Sequence, residues 1–295
     1  MRVTPLADRA VGLYTSLMAE SAAGVDPMLL VEDLQVEIHD RKIVHHILKG
    51  ISFSIRTGEM HGLVGETGSG KSMTARAITG LLPHGGRVTA GSITVAGRDL
   101  GGLSERELRE IRGPVIGMIF QNPRTALHPL LSVEKQMTNV IRAHRDQPRK
   151  ECHARVREVL DMVGISDPNR VARAYPHELS GGMAQRVVIA TVLVSEPSFL
   201  IADEPTTGLD ATVQRQILEE IAGLQQRLNL SVLMITHDLS IVAQYCDAVS
   251  VMYEGLIVEQ GTKREIMLTP QHAYTQRLIQ ASRLEGIREE KGAAA

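Results

Sequence analysis

The chain has 295 residues, 43% hydrophobic and 22% charged, with a formal net charge of -2. Such a composition can bury a core, which excludes a disordered polymer, and the near-neutral balance gives no overall electrostatic footprint for nucleic acid. Cys152 and Cys246 are too few for a disulfide framework or a four-thiolate metal site, and the longest apolar run, Val187 to Val194, is far short of the roughly 20 residues that cross a bilayer.

At roughly 150 residues per domain, the length fits about two compact units or one large α/β domain with an insertion. Met1 to Pro27 is a poor leader, since Asp8 sits among the charges and Tyr14, Thr15 and Ser16 interrupt the apolar stretch. Ala10, Leu13, Tyr14, Leu17 and Met18 share one helical face, which fits a short docking helix; an artefactual upstream start fits equally well. Leu29 to Ile38 alternates as a half-exposed strand, Ile51 to Ile55 reads likewise, and Gly58 marks a turn. Met60 to Val64 is a short apolar strand running into a glycine-rich loop, Gly65 to Gly70, and a helix follows from Lys71 to about Gly80. Ser92 to Val95 and Val115 to Phe120 read as further strands. Val133 to Val194 is helical, broken at Pro148, at 164–168 and at Pro176. Phe199 to Ala202 is continuously apolar, as a strand buried on both faces of a parallel sheet should be. Val213, Ile217, Ile221, Leu224 and Leu228 form an amphipathic helix face, and Val232 to Ile235 is another buried strand. Val249 to Tyr253 and Leu256 to Glu259 flank Glu254-Gly255 as a hairpin, and the charged tail beyond Arg283 is expected to be mobile.

Three segments carry chemistry. Gly65-Glu66-Thr67-Gly68-Ser69-Gly70-Lys71-Ser72 fits the phosphate-loop spacing G-x-x-x-x-G-K-[ST]. Its glycines let backbone N–H groups turn inward onto phosphate oxygens, and the following helix adds its positive end. Lys71 can reach the outer phosphates and the Ser72 hydroxyl can ligate Mg2+. Asp203 and Glu204 end the Phe199 strand at the sheet edge where ligands bind in open α/β folds. Asp203 suits a Mg2+ shell and Glu204 suits polarising an attacking water. Ser180-Gly181-Gly182 opens a helix, with Ser180 as its cap and the glycine amides as an anion nest. Read singly, the second segment is an ordinary helix cap with a solvated carboxylate and the third is ordinary capping; their combination with the phosphate loop is what gives them specificity.

In this order the motifs resemble those of the ATP-binding-cassette ATPases. Gly65 to Ser72 is similar to their Walker A loop, Leu179 to Met183 to their signature, and Phe199 to Glu204 to Walker B with its catalytic glutamate. Gln121 matches the Q-loop glutamine, Gly208-Leu209-Asp210 the D-loop and His237 the switch histidine. The resemblance implies an α/β fold of the P-loop NTPase type: a RecA-like parallel-sheet core, an N-terminal antiparallel β subdomain and an inserted α-helical subdomain. It implies an extension over 1–28, an ATP-binding domain over 29–265 with the helical insert at about 125–190, and a C-terminal tail over 266–295. It also implies ATP and Mg2+ as ligands. Gly65, Glu66, Thr67, Gly68, Ser69, Gly70, Lys71, Ser72, Gln121, Ser180, Gly181, Gly182 and Asp203 would bind them, with Ser72, Gln121 and Asp203 at the metal and Glu204 and His237 catalytic. In this family two such domains sandwich two ATP molecules, so Ser180 to Gly182 would serve the partner's nucleotide. The family usually stacks adenine on an aromatic side chain; none lies between Leu29 and Ser52, which leaves His39, Ile43, His45 and His46 as candidates.

Phe120 to Leu130, Gln185-Arg186 after the signature, and Pro270-Gln271-His272-Ala273-Tyr274-Thr275 resemble the peptide- and nickel-type importer branch. That branch implies a homologous, non-identical second ATPase, two transmembrane permeases that dock near Asn122 to Leu131, and an extracytoplasmic solute-binding protein. It places the chain peripherally on the cytoplasmic face of the inner membrane, with no nucleic-acid partner beyond ATP itself. No cysteine follows Cys246, so the iron–sulfur motif of many peptide-type members is missing. A soluble repair or translation ATPase is the alternative; the interval from Ser72 to Leu179 shows neither sustained heptads nor zinc-ligand spacing.

Overall fold

The computed structural model describes residues 26–41, 43–121 and 126–282. The docking-helix reading of the first residues, Asn122 to Thr125 of the permease-docking stretch, and the tail beyond Arg283 lie outside them. In chain order the elements begin with β1 (Leu29–Asp40), β2 (Ile43–Ile55), β3 (Met60–Val64), α1 (Lys71–Ile78), β4 (Gly86–Val95), β5 (Arg98–Asp99), α2 (Glu105–Ile111) and β6 (Ile116–Ile119). Then come α3 (Val133–His144), α4 (Arg149–Met162), α5 (Pro168–Arg173), α6 (Gly181–Leu193), β7 (Phe199–Asp203), α7 (Ala211–Leu228) and β8 (Ser231–Thr236). The chain continues through α8 (Leu239–Tyr245), β9 (Ala248–Tyr253), β10 (Leu256–Thr262) and α9 (Lys263–Leu268), and residues 273–282 are helical, here α10. The described residues divide into two compact units, one within 1–57, 61–102 and 237–295, the other within 58–60 and 103–236.

In the first unit, β1, β2, β4 and β5 make a four-stranded antiparallel sheet in the order β2-β1-β4-β5. Leu29, Val31, Leu34 and Val36 of β1 point into its core and are fully buried. The same unit pairs β3 with β9 in parallel, from His61↔Ala248 to Val64↔Val251, and β10 with β9 antiparallel. All five residues of β3 are buried, His61 included, whose Nε2 pairs with Ser250 Oγ of β9 at 2.9 Å.

In the second unit, β6, β7 and β8 run parallel, with Ile116↔Phe199 and Phe199↔Ser231 in register. Helices α3 to α6 fill the stretch expected to be helical. Three of their starts are written in side-chain caps, Ser132 on α3, Asp167 on α5 and Ser180 on α6, while α4 starts after Pro148 without one.

The structure departs from the sequence expectation in the extent of two strands and in short elements the sequence did not announce. β2 begins at Ile43 instead of Ile51, and β4 at Gly86 instead of Ser92. Both extra stretches are largely exposed hairpin arms, whose solvated side chains do not alternate by polarity. Helix α2 was not expected. Only Ile111 of it is buried, so it has no apolar stripe, and it is held instead by a reciprocal Ser104–Glu107 capping box.

Candidate functional site

The phosphate loop sits in the first unit, between the buried end of β3 and the start of α1. Gly65, Gly68 and Gly70 all take positive φ, at 154, 85 and 111°. A Cβ at Gly65 would lie 2.1 Å from the Met252 carbonyl oxygen, and one at Gly70 would lie 2.8 Å from Met252 Cε and 2.9 Å from Leu48 Cδ2. Glycine is therefore imposed by the β9 backbone at the first position and by the left-handed φ at the second, where the nearest atoms are flexible side-chain ends. The Lys71 ammonium is buried and donates to the carbonyls of Gly65, at 2.7 Å, and Glu66, at 2.9 Å. Below the loop, the Gly255 N–H donates to Ser69 O at 3.0 Å. Ser69 Oγ is buried with no hydrogen-bond partner.

Helix α1 starts on this loop without a side-chain cap and with no acidic residue in its first turn, its N-cap being Gly70 in the left-handed region. Seven other helices, α2, α3 and α5 to α9, carry a Ser, Thr or Asp cap. An uncapped helix start beside three positive-φ glycines leaves its N–H groups to an anion, which is the chemistry a polyphosphate needs. Glu66, Thr67, Gly68 and Ser72 are exposed along the loop, and His237, in the same unit, is exposed where it follows β8.

The acidic pair sits in the second unit. Asp203 is the last residue of β7 and is buried, 7% exposed. Glu204 follows with φ at +46°, a left-handed conformation that a non-glycine residue holds only at a cost of about 1–3 kcal/mol. Its N–H donates to Ile235 O at 2.9 Å. One carboxylate oxygen, Oε2, accepts from Gln121 Nε2 at 2.9 Å and from Thr207 Oγ1 at 3.0 Å. The structure thus brings Gln121 and Glu204 together, and adds Thr207, which sequence reasoning missed.

Ser180 to Gly182 open α6 in the same unit. Ser180 is exposed and its hydroxyl accepts from the Met183 N–H at 3.3 Å, so the serine caps its own helix. A Cβ at Gly182 would lie 2.9 Å from Val213 Cγ1, so this glycine also lets α6 approach α7 closely. Gln185, fully buried one turn further on, donates to the Pro205 carbonyl just past Glu204. Asp210 of the resembled D-loop caps α7 through the N–H groups of Thr212 and Val213.

Among the candidates for a base contact, Glu37 of β1 holds two: His39 Nε2 at 2.9 Å and His46 Nδ1 at 3.0 Å. Ile43, at 61%, is far more exposed than a β-sheet isoleucine usually is.

Residues 48–207 match the ABC transporter family. The chain belongs to that family. It is 45% identical, over 86% of its length and 76% of the relative's, to the dipeptide transport ATP-binding protein DppD of Bacillus subtilis. It is likewise 45% identical, over 86% of its length and 72% of the relative's, to the oligopeptide transport ATP-binding protein OppD of the same organism. Among solved structures it resembles CbiO1 from Clostridium perfringens, part of the ABC transporter complex CbiONQ, with a TM-score of 0.72, 31% identity and coverage of 88% of this chain and 99% of that one. It also resembles the dimeric ATP-binding cassette MJ0796 bound to ADP and Pi, with a TM-score of 0.71, 27% identity and coverage of 80% and 99%. The expected fold class holds: this ABC protein is an α/β P-loop ATPase whose strands divide between parallel pairing and a separate antiparallel sheet. Among the described residues no helix is long and apolar enough to cross a membrane.

Proposed function

We propose that the chain is the ATP-hydrolysing subunit of a membrane importer for peptides or a chemically related solute. The carrying observation is the 45% identity, over 86% of the chain, to relatives named as dipeptide and oligopeptide transport ATP-binding proteins. The local geometry supports the same reading. The amides of Gly68 to Lys71 and the start of α1 take the β- and γ-phosphate oxygens, and Lys71, its ammonium oriented by the Gly65 and Glu66 carbonyls, supplies positive charge to the γ-phosphate.

Ser72 and Asp203 supply hard oxygen donors, the donor chemistry Mg2+ prefers, with Gln121 as the third expected contributor. When bound there, the ion offsets charge on the phosphate oxygens. Glu204 orients and polarises the attacking water, and His237 contacts the γ-phosphate. Residues 29–265 form the ATP-binding domain around a helical insert at about 125–190, and 266–295 form an importer-type tail.

A homologous, non-identical ATPase completes each nucleotide site through its own counterpart of Ser180 to Gly182. Two permeases and an extracytoplasmic binding protein carry the solute, with this chain peripheral on the cytoplasmic face. The test is reconstitution of the assembled transporter in vesicles, with uptake of labelled di- and oligopeptides measured against ATP consumption. Uptake that requires ATP and stops with Glu204→Gln supports the reading. Peptide uptake unaffected by that substitution, or ATP turnover with no peptide or related solute moved, overturns it.

A further inference from the structure

The C-terminal segment reaches the phosphate loop. The Glu66 N–H donates to the Tyr274 hydroxyl at 3.0 Å, across 208 residues of sequence. Tyr274 is 3% exposed, and its ring lies 4.3 Å, centroid to centroid, from that of Tyr253 at the end of β9. Its own N–H donates to His272 Nδ1 at 3.2 Å, while the Gln271 and His272 N–H groups both donate to the Glu259 carboxylate of β10, at 2.6 and 3.1 Å. The phenol is thus fixed from its ring and from its backbone. Burial pushes its pKa up from the ordinary tyrosine value, so it remains a neutral hydroxyl with an acceptor lone pair at physiological pH.

The amide it holds is part of one peptide plane. That plane carries the Gly65 C=O at one end and the Glu66 N–H at the other. The N–H ends on Tyr274 Oη, and the C=O accepts from Lys71 Nζ at 2.7 Å. Gly65, with φ at 154° and no Cβ, offers little steric resistance to rotation of this plane. Without an acceptor for the Glu66 N–H, a partly buried donor goes unsatisfied and the plane is free to turn, which displaces the carbonyl that parks Lys71.

We propose that Tyr274 is a positioning residue of the ATP site, setting the Gly65–Glu66 peptide and through it the Lys71 ammonium. It lies outside residues 48–207, the stretch that matches the family. The inference rests on the reading of Lys71 as a phosphate ligand. Tyr274→Phe keeps the ring packing and removes only the acceptor.

The test uses the full chain. Titration calorimetry with ATP is expected to give about five- to tenfold weaker binding for Tyr274→Phe, with turnover at saturating ATP unchanged in the assembled transporter. Hydrogen exchange of the nucleotide-free chain is expected to show the Glu66 amide protected in the unaltered protein and faster in the variant. Binding of ATP by Tyr274→Phe within twofold of the unaltered chain overturns the inference, whatever the thermal stability does. Fast exchange at Glu66 in the unaltered chain overturns it without any variant. If the unaltered chain bound no ATP, the nucleotide reading itself would fall, and the exchange result would still decide the Tyr274 anchor.

Discussion

The phosphate loop and Glu204 each follow a five-residue strand buried along its whole length, β3 and β7. Each turn then needs a left-handed residue, and the two turns meet that need in opposite ways. After β3 it is Gly65, where the Met252 carbonyl leaves no room for a side chain. After β7 it is Glu204, which keeps its side chain and bears the conformational cost. The loop is then held at its own backbone groups, with the Gly255 N–H on Ser69 O, the Glu66 N–H on the Tyr274 hydroxyl and the Lys71 ammonium on two loop carbonyls. Glu204 is instead steadied by the exchangeable side chains of Gln121 and Thr207. A rigid cradle suits binding. A carboxylate held by side chains on a turn suits a reacting group that must shift its partners when substrate arrives.

If that division of labour is right, substitutions in the two places separate binding from turnover. The largest effect belongs to Glu204→Gln, which should lower ATP turnover by about a thousandfold, in the range of general-base removal, with the Kd for ATP kept within a factor of about two. Steady-state kinetics beside equilibrium titration checks it, and a parallel loss of binding would break the comparison. Lys71→Ala should weaken ATP binding by about a hundredfold through the loss of charge-assisted hydrogen bonds to phosphate. Next comes Gly65→Ala, whose added Cβ must displace β9 backbone; chemical denaturation should show a loss of about 2–3 kcal/mol. Smallest is Thr207→Val, which removes one hydroxyl donor to the Glu204 carboxylate and should lower turnover about three- to tenfold with the KM for ATP unchanged. Thr207→Ser should restore it, and a raised KM instead would place Thr207 in binding.

How much of this could be read from the sequence follows the same divide. The loop was legible because its requirements are local: glycines at fixed spacing, a buried strand before and a helix after. The strand ending in Asp203 was legible from its unbroken apolarity. Contacts closed by distant parts of the chain were not legible. Tyr274 drew notice only as part of the segment Pro270 to Thr275, and nothing local points its hydroxyl at Glu66. Gln185 looks like one polar residue in an apolar helix until the fold puts it on the Pro205 carbonyl; Thr207, though only three residues from Glu204, looks like one more residue of a polar turn until the turn's geometry puts its hydroxyl on that carboxylate. The capping box at Ser104–Glu107 was a local signal that could have revealed α2, whose lack of an apolar stripe hid it.

The division between cradle and reacting carboxylate is tested most directly by identifying the nucleotide that stays bound after incubation with ATP and Mg2+. The account predicts uncleaved ATP on the Glu204→Gln chain in its assembled transporter and ADP on the unaltered one. ADP on both, accumulated at the same rate, would contradict it.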